Sequence, residues 1–422
     1  MSQLRAGFAA TSITPKQATA LSGFAARTGL AAGTLDDLEA RALVLERGTR
    51  RVALVALDLI GVPDAFESQL AAALGADAPS LMVCATHTHA GPPSLARARL
   101  GAPPAGYVEG LVGSVAETVR RAAAAAEPAG VAHRRVLAPG IAHNRRDPAG
   151  PVDHEADVVA LVRADGGLAA AWVTFACHPV VLGPDNLRYS ADFPAAARRA
   201  LEARLGCPAL YTTGCAGEIN LGHSALDSIR RIGLDKRTPE EAERIGRRLA
   251  QAIADSLERD PPRAGADDAL GFADAHVAAR FAPPHAQARG EIEAAARRVL
   301  ADAGVSAGER IMAQIDLDWL ADPPQAAGWP ALRVSALALG EVRACFLPGE
   351  IFVETALAMR RAAADLMVVG YAHANPGYIP PATARGGYEV DIAWRPYGAP
   401  GPFAPGMAEE LAGAATWLAA AL

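Results

Sequence analysis

Short apolar runs alternate with segments of helical periodicity along most of the chain, and this alternation restricts the fold more than any other feature of the sequence. Residues 51–57 (RVALVAL) form one such run, residues 64–76 have helical spacing, and residues 81–85 (LMVCA) form the next run. Strands and helices that alternate in this way are typical of α/β domains. The sequence therefore predicts an α/β fold.

Two further segments predict antiparallel pairs within the same fold. The turn sequences Asp165-Gly166-Gly167 and Gly340-Glu341 each stand between two apolar runs. A mixed β-sheet core flanked by helices is therefore expected. The helices are expected at residues 107–126, 193–205, 238–257, 351–364 and 406–421.

No internal repeat or linker is visible in the sequence, and we expect residues 1–422 to form a single domain. Residues 260–330 are the least regular part. A strand near 268–280, a helix near 287–303 and a loop rich in Pro and Ala are expected there. This segment is a candidate subdomain or lid.

The composition excludes several classes of protein. At 51% hydrophobic and 20% charged residues the chain can bury a large core, and its basic residues are scattered, so no nucleic-acid partner is expected. The N-terminus lacks a signal-peptide pattern, and no apolar run approaches the ~18 residues of a membrane span. We therefore expect a cytoplasmic protein without a stable membrane anchor. The five cysteines are expected to be reduced, and Cys84 and Cys177 are expected to be buried rather than metal ligands.

Residues that can bind a metal ion follow several of the predicted strands. They are His87 and His89, His178, Glu350 and Tyr378. Active sites of α/β folds lie outside the carboxyl ends of the strands, and residues two apart on an extended chain face the same side. Each of these residues alone is more often an ordinary structural residue, whereas their convergence at one place would favour a zinc site.

Several motifs together resemble the catalytic, N-terminal domain of the neutral (non-lysosomal) ceramidase family. Residues 86–92, THTHAGP, are similar to the family's THTHSGP and are the most specific match. The resemblance extends over most of the chain. Its other segments are residues 7–14, 21–24, 38–42, 143–145, 176–178, 348–350, 377–379 and 387–389.

The resemblance implies a ceramidase catalytic-domain-like fold with one catalytic zinc ion per chain. The implied zinc ligands are His87, His178, Glu350 and Tyr378. The same resemblance assigns catalytic roles to two further groups. His89 would donate a proton to the departing amine, and Arg145 and Tyr388 would hold the carbonyl oxygen as charge develops there.

The sequence departs from the family at several places. Asn220 stands where the family has a serine with a proposed catalytic role, and Asn cannot be a nucleophile, which favours metal-activated water as the attacking group. Asn220 would instead donate a hydrogen bond or cap its turn. The segment between Glu350 and Tyr378 looks short, and neither the family's C-terminal β-sandwich domain nor an export signal is expected. These departures favour an acyl amide smaller and more polar than ceramide.

The sequence leaves three functional hypotheses open. The first is a zinc-dependent amidohydrolase that cleaves the carbon–nitrogen bond of an N-acyl amine or ceramide-like substrate. The second is an esterase or lactonase that uses the same site. The third is a ligand-binding homologue without turnover, which is favoured by Asn220 in place of the family's serine. The acyl and amine parts of the substrate and the oligomeric state are not determined by the sequence.

Overall fold

The computed structural model describes residues 3–265 and 269–422. Its strands, numbered in chain order, are β1 (Arg5–Ser12), β2 (Gly33–Thr34), β3 (Glu39–Arg47), β4 (Arg50–Leu57), β5 (Ser80–Ala85), β6 (Glu127–Pro128), β7 (Gly130–Leu137), β8 (His143–Asn144), β9 (Glu155–Val162), β10 (Leu168–Phe175), β11 (Arg188–Tyr189), β12 (Ala209–Thr213), β13 (Ile219–Asn220), β14 (Leu270–Val277), β15 (Leu332–Leu339), β16 (Val342–Phe346), β17 (Glu350–Ile351), β18 (Leu366–Val369) and β19 (Tyr378–Ile379). Its α-helices are α1 (Phe66–Leu74), α2 (Tyr107–Ala124), α3 (Phe193–Leu205), α4 (Ala225–Arg230), α5 (Pro239–Arg259), α6 (Ala286–Ala301), α7 (Ala307–Ala321), α8 (Val353–Ala362) and α9 (Met407–Ala420). The predicted α/β class with mixed sheets is confirmed.

The three larger sheets repeat one strand arrangement. Their strand orders are β1-β3-β4-β5 with β6 added beside β1, then β7-β9-β10-β12, then β14-β15-β16-β18. In each order the first three strands are antiparallel neighbours, and the last strand pairs in parallel with the third. The expectation that the chain has no internal repeat is therefore wrong at the level of topology. Apolar strands of different sequence can occupy equivalent places, so residue identities do not reveal the repeat.

The helices follow the same threefold arrangement. A crossover helix joins the parallel strands of each sheet, namely α1, α3 and α8. A second helix, α2, α5 or α9, packs against the crossover helix and against the first strand of the same sheet. Thr238 caps α5 as the sequence predicts, since its hydroxyl accepts a hydrogen bond from the Glu241 amide at 3.2 Å. Of the helices in the described parts of the chain, none combines the length and the apolar character that a membrane span requires.

The three sheets share one buried core. It includes Leu43 from the first sheet, Trp172 from the second and Phe346 from the third. The rings of Trp172 and Phe346 are stacked, with centroids 5.9 Å apart. Alternation along β5 places Met82 and Cys84 in this core while their neighbours face a second core under α1 and α2. The shared core brings the three repeats together.

Hydrogen bonds join the carboxyl ends of the three parallel strands β5, β12 and β18. The Thr213 hydroxyl donates to the Thr86 carbonyl at 2.8 Å. The Gly370 amide donates to the Thr213 carbonyl at 3.0 Å, and the Ala85 amide donates to the Tyr371 carbonyl at 3.0 Å. The strand ends of all three repeats therefore meet at one place. His87 and Tyr378 come after β5 and β18, while His178 and Glu350 come after β10 and β16, which pair in parallel with β12 and β18.

Residues 260–330 differ in part from the expectation. The expected strand is β14, which belongs to the third sheet, and the expected helix is α6. The expected Pro- and Ala-rich loop is wrong over α7, a helix that packs against α6. Its start is a capping box in which Ser306 and Glu309 bond each other's backbone amides, a signal present in the sequence. The role of this segment as a lid stays a prediction.

Candidate metal centre

His87 and His89 lie on the loop that follows β5, and their imidazoles meet. The two Nε2 atoms are 3.3 Å apart. The two rings were expected to face the same side because the chain is extended there. His87 instead has a left-handed backbone (φ 68°). Gly23 makes room for the second ring, since a Cβ at that position would lie 2.4 Å from the His89 Cγ.

His178 and Glu350 come from the second and third repeats and reach the same point. The Glu350 Oε2 atom lies 2.9 Å from the His178 Nε2 atom and 3.3 Å from the His87 Nε2 atom. His87, His178 and Glu350 are all fully buried. The nitrogens of the three histidines, His89 included, lie within 4.8 Å of one another, so this group can hold a metal ion.

The second nitrogen of each buried imidazole fixes which atom faces the centre. The Nδ1 atom of His87 donates to the Ile60 carbonyl at 2.6 Å, and that of His178 donates to the Ala216 carbonyl. In the neutral rings both Nε2 atoms are therefore proton-free acceptors. Two acceptors and a carboxylate oxygen at this separation repel one another unless a positive charge lies between them. Two imidazole nitrogens and a carboxylate oxygen fit zinc, which is commonly bound by these ligands.

Burial and neighbouring charges together set the ionisation of the centre. Burial alone would raise the pKa of Glu350, but the histidines His87 and His178 outweigh it and hold that pKa well below its usual value. Burial and the charge of Arg145 lower the pKa of His178 to about 4. Burial, with the neighbouring rings, also holds the pKa of His89 well below its usual value. At neutral pH His178 and His89 are therefore neutral, and the Glu350 carboxylate is ionised.

Tyr378 lies next to Glu350 because β17 and β19 pair in parallel with these two residues opposite each other. Its hydroxyl accepts a hydrogen bond from the Arg145 Nη2 atom at 2.9 Å. Burial raises the pKa of Tyr378 well above its usual value, while the charge of Arg145 opposes this. Tyr378 thus lies at the centre, and its role as a ligand stays a prediction.

Arg145 and Tyr388, the two predicted oxyanion donors, lie on the side of Tyr378. The Arg145 Nε atom donates to Glu389 at 2.8 Å, and its Nη2 atom also donates to the Gly217 carbonyl at 2.8 Å. Tyr388 begins a π-helical turn, and its ring lies 6.1 Å from the ring of Tyr378. The structure therefore brings both residues to the centre.

Asn220 lies in β13, and its side chain is used within its own turn. The amide nitrogen donates to the His223 carbonyl at 2.8 Å, and the amide oxygen accepts from the Gly222 amide at 2.7 Å. Asn220 is fully buried and is not among the residues that line the cleft described below. This geometry favours the turn-capping alternative.

Three residues near the centre were not predicted from the sequence. The hydroxyl of Tyr397 donates to the Glu350 Oε1 atom, and the ring of Tyr371 stacks on His87 with centroids 4.4 Å apart. Glu389 binds Arg145 through one carboxylate oxygen. All three lie in residues 371–405, which are rich in Gly, Pro and Tyr and have no apolar period. The local tyrosine content was a signal for the two tyrosines, and the resemblance of residues 387–389 to the family was a signal for Glu389.

A cleft opens onto the centre. Its lining includes the catalytic candidates His89, Arg145, Tyr378 and Tyr388, together with Tyr397. Its walls are largely apolar. They include Phe24, Leu95, Leu100, Ile229 and Met312. Met312 belongs to α7, so the segment predicted to be a lid contributes one wall.

The fold and the centre define an α/β protein in which three repeats surround a buried group of imidazoles and a carboxylate. Two solved structures have the same fold. The neutral ceramidase from Pseudomonas aeruginosa matches 100% of this chain and 75% of its own with a TM-score of 0.75 and 20% identity. A ceramidase complexed with C2 matches the same shares of the chains with a TM-score of 0.75 and 17% identity. The predicted ceramidase-like fold is therefore confirmed. No family model and no curated protein matches the sequence.

Proposed function

We propose that the protein is a zinc-dependent hydrolase that cleaves the carbon–nitrogen bond of an acyl amide. The observation that supports it most is the convergence of the His87 and His178 Nε2 atoms on the Glu350 Oε2 atom inside a buried site. We propose one zinc ion per chain, with Tyr378 as the fourth ligand. Zinc at such a centre supplies Lewis acidity that lowers the pKa of water toward ~7.

The residues around the centre can carry the remaining steps. Amines are poor leaving groups, so the departing nitrogen needs a proton. His89 lines the cleft, and its Nδ1 atom is buried without a hydrogen-bond partner in the described residues. Its lowered pKa keeps the ring neutral, so that it can accept a proton from water and pass it to that nitrogen.

Arg145 and Tyr388 are proposed to hold the carbonyl oxygen as negative charge develops on it. Arg145 is fixed by its bonds to Glu389 and Tyr378 before substrate binds, and Tyr378 and Glu389 raise its pKa against the effect of burial. A preorganised donor of this kind costs no reorganisation during the reaction and is worth ~3 kcal/mol. The apolar walls of the cleft support an acyl chain as the other part of the substrate.

The test combines metal content with turnover. Zinc per chain would be measured by mass spectrometry, and N-acyl amines of increasing chain length would be assayed with and without a chelator. His87→Ala should lose both zinc and activity. His276→Ala, at an exposed position of β14, is the matched control and should keep both.

Two outcomes would contradict the proposal. A folded sample that neither holds zinc nor gains activity from it would exclude the metal-dependent reaction. A sample that binds zinc at His87 yet cleaves no amide of the series would exclude the amide hydrolase and favour a binding protein.

A further inference from the structure

A chain of three polar side chains, of which His373 and Ser335 are buried, lies outside the cleft. The His373 Nδ1 atom is 2.9 Å from the Glu67 Oε1 atom, and its Nε2 atom is 2.8 Å from the Ser335 Oγ atom. Glu67 belongs to α1 in the first repeat, and Ser335 belongs to β15 in the third. We call Glu67, His373 and Ser335 the His373 clamp.

The clamp has the connectivity of a nucleophilic triad but not its accessibility. Ser335 is fully buried within β15, and it does not line the cleft. Glu67 is kept ionised, because its Oε2 atom accepts from Arg333 at 2.7 Å and its Oε1 atom accepts from the Val83 amide at 3.0 Å. The pKa of Glu67 is accordingly lowered, mainly by His373 against the effect of burial. A buried carboxylate–His–hydroxyl chain without access to substrate fixes the orientation of a residue instead.

His373 lies in a strained stretch of backbone. Tyr371 and His373 both have left-handed backbones, with φ of 54° and 63°. This conformation is unfavourable for a residue with a side chain and persists where the surroundings hold it. The His373 side chain is held at both ring nitrogens, and its amide donates to the Val83 carbonyl at 2.8 Å. The clamp therefore supplies the contacts that hold this conformation.

The residues two before and two after His373 both contact the surroundings of the metal ligands. The Tyr371 ring stacks on His87, and its hydroxyl lies 3.4 Å from the His178 Nδ1 atom. The Asn375 Nδ2 atom donates at 3.1 Å to the Ile60 carbonyl, which also accepts the hydrogen bond from His87 Nδ1. Residues 371–375, which the clamp holds, thus contact the ligand imidazoles or the backbone carbonyl that one of them binds.

We propose that the His373 clamp is a positioning device for the metal centre, which sets the orientation of His87 and His178 through Tyr371 and Asn375. This inference rests on the proposed function, because it assumes that the two imidazoles bind a metal ion. Groups that orient ligating histidines typically change metal affinity by ~10–100-fold when they are removed.

The experiment uses His373→Ala, Ser335→Ala and the conservative Ser335→Thr, each in the full chain. Hydrogen exchange of residues 371–378 would be measured by mass spectrometry in the zinc-free protein, and zinc affinity by competition with a chromogenic chelator. We expect faster exchange in that stretch and ~10-fold or more weaker zinc binding in His373→Ala. Ser335→Ala should show the same changes to a smaller degree, and Ser335→Thr should restore the parent values. If His373→Ala does not fold, the Ser335 pair decides the question.

His133→Ala is the matched control, because His133 Nε2 also bonds a carboxylate, Asp157, at 2.9 Å but lies on β7, away from the centre. It should bind zinc like the parent. The inference is overturned if His373→Ala and Ser335→Ala bind zinc within ~2-fold of the parent. It is also overturned if exchange rises equally throughout the third sheet. A parent that binds no zinc would overturn the proposed function instead, while the exchange of residues 371–378 would still test the clamp.

Discussion

Glu350→Gln should change the stability of the protein in opposite directions with and without zinc. In the zinc-free protein the Glu350 Oε2 atom faces the His178 Nε2 atom at 2.9 Å and the His87 Nε2 atom at 3.3 Å. Both nitrogens are acceptors, because each ring donates through its Nδ1 atom to a backbone carbonyl. A glutamine amide can donate to both nitrogens, and its oxygen can still accept from Tyr397. The substitution therefore gives each ring nitrogen a hydrogen-bond donor that the ionised carboxylate lacks.

The size of the effect follows from these two contacts. A neutral hydrogen bond contributes ~1 kcal/mol, so the zinc-free variant should be more stable by ~2 kcal/mol. An unfolding entropy of about 0.9 kcal/mol/K for 422 residues converts this to a melting temperature about 2 °C higher. Zinc at 100 times its Kd should add ~2.7 kcal/mol to the parent, or about 3 °C. The variant has lost a charged ligand and should gain almost nothing from zinc.

The assay is thermal melting at one scan rate and neutral pH, with chelator and then with excess zinc. The order of the two melting curves should invert between these conditions. Glu341→Gln, at an exposed turn, is the control and should follow the parent in both. A Glu350→Gln protein that melts below the parent in chelator, or that zinc stabilises as much as the parent, would refute the reasoning.

Three further substitutions test other parts of the structure. Burial raises the pKa of Glu218 to about 8, although this carboxyl accepts hydrogen bonds from the Val353 amide. Between about pH 5 and pH 8 the folded state therefore holds a proton that the unfolded state has lost. The free energy of unfolding should fall by up to ~1.4 kcal/mol per pH unit over this range. Urea titrations of Glu218→Gln in chelator should show a flatter pH dependence than the parent, and an unchanged slope would contradict the assignment. His89→Ala should lower kcat for amides ~10²–10⁴-fold and for activated esters far less, and equal losses in initial-rate assays would exclude the proton-donor role. Met312→Ala should shift the preference in an N-acyl amine series toward longer acyl chains, and an unchanged chain-length profile would remove α7 from the acyl-binding wall.

Three of the predicted metal ligands could be found from the sequence because they follow apolar strands. His87, His178 and Glu350 each come shortly after a strand whose apolar run is visible in the sequence, and parallel strands bring their carboxyl ends to one edge. The hairpins at Gly166 and Gly340 were equally visible, since their turn residues stand between apolar runs.

Other features depend on long-range packing and have no local signal. The left-handed backbone of His87 is fixed by the bond of its amide to the Leu59 carbonyl and by its ring contacts, not by its own sequence. Tyr371 and Tyr397 reach the centre from a stretch without periodicity. The helix α7, in contrast, has a local signal, because Ser306 and Glu309 form a capping-box sequence at its start. The Pro- and Ala-rich composition that follows instead favoured a loop.

The threefold repetition of the sheets has a consequence for how the protein folds. His178 and Glu350 touch although 172 positions separate them, and His87 belongs to yet another repeat. A chain in which only one or two repeats have folded lacks at least one of these three ligands. Tight zinc binding should therefore come late in folding, after all three repeats have packed together. Zinc uptake during refolding would then report the last assembly step rather than the formation of any single sheet.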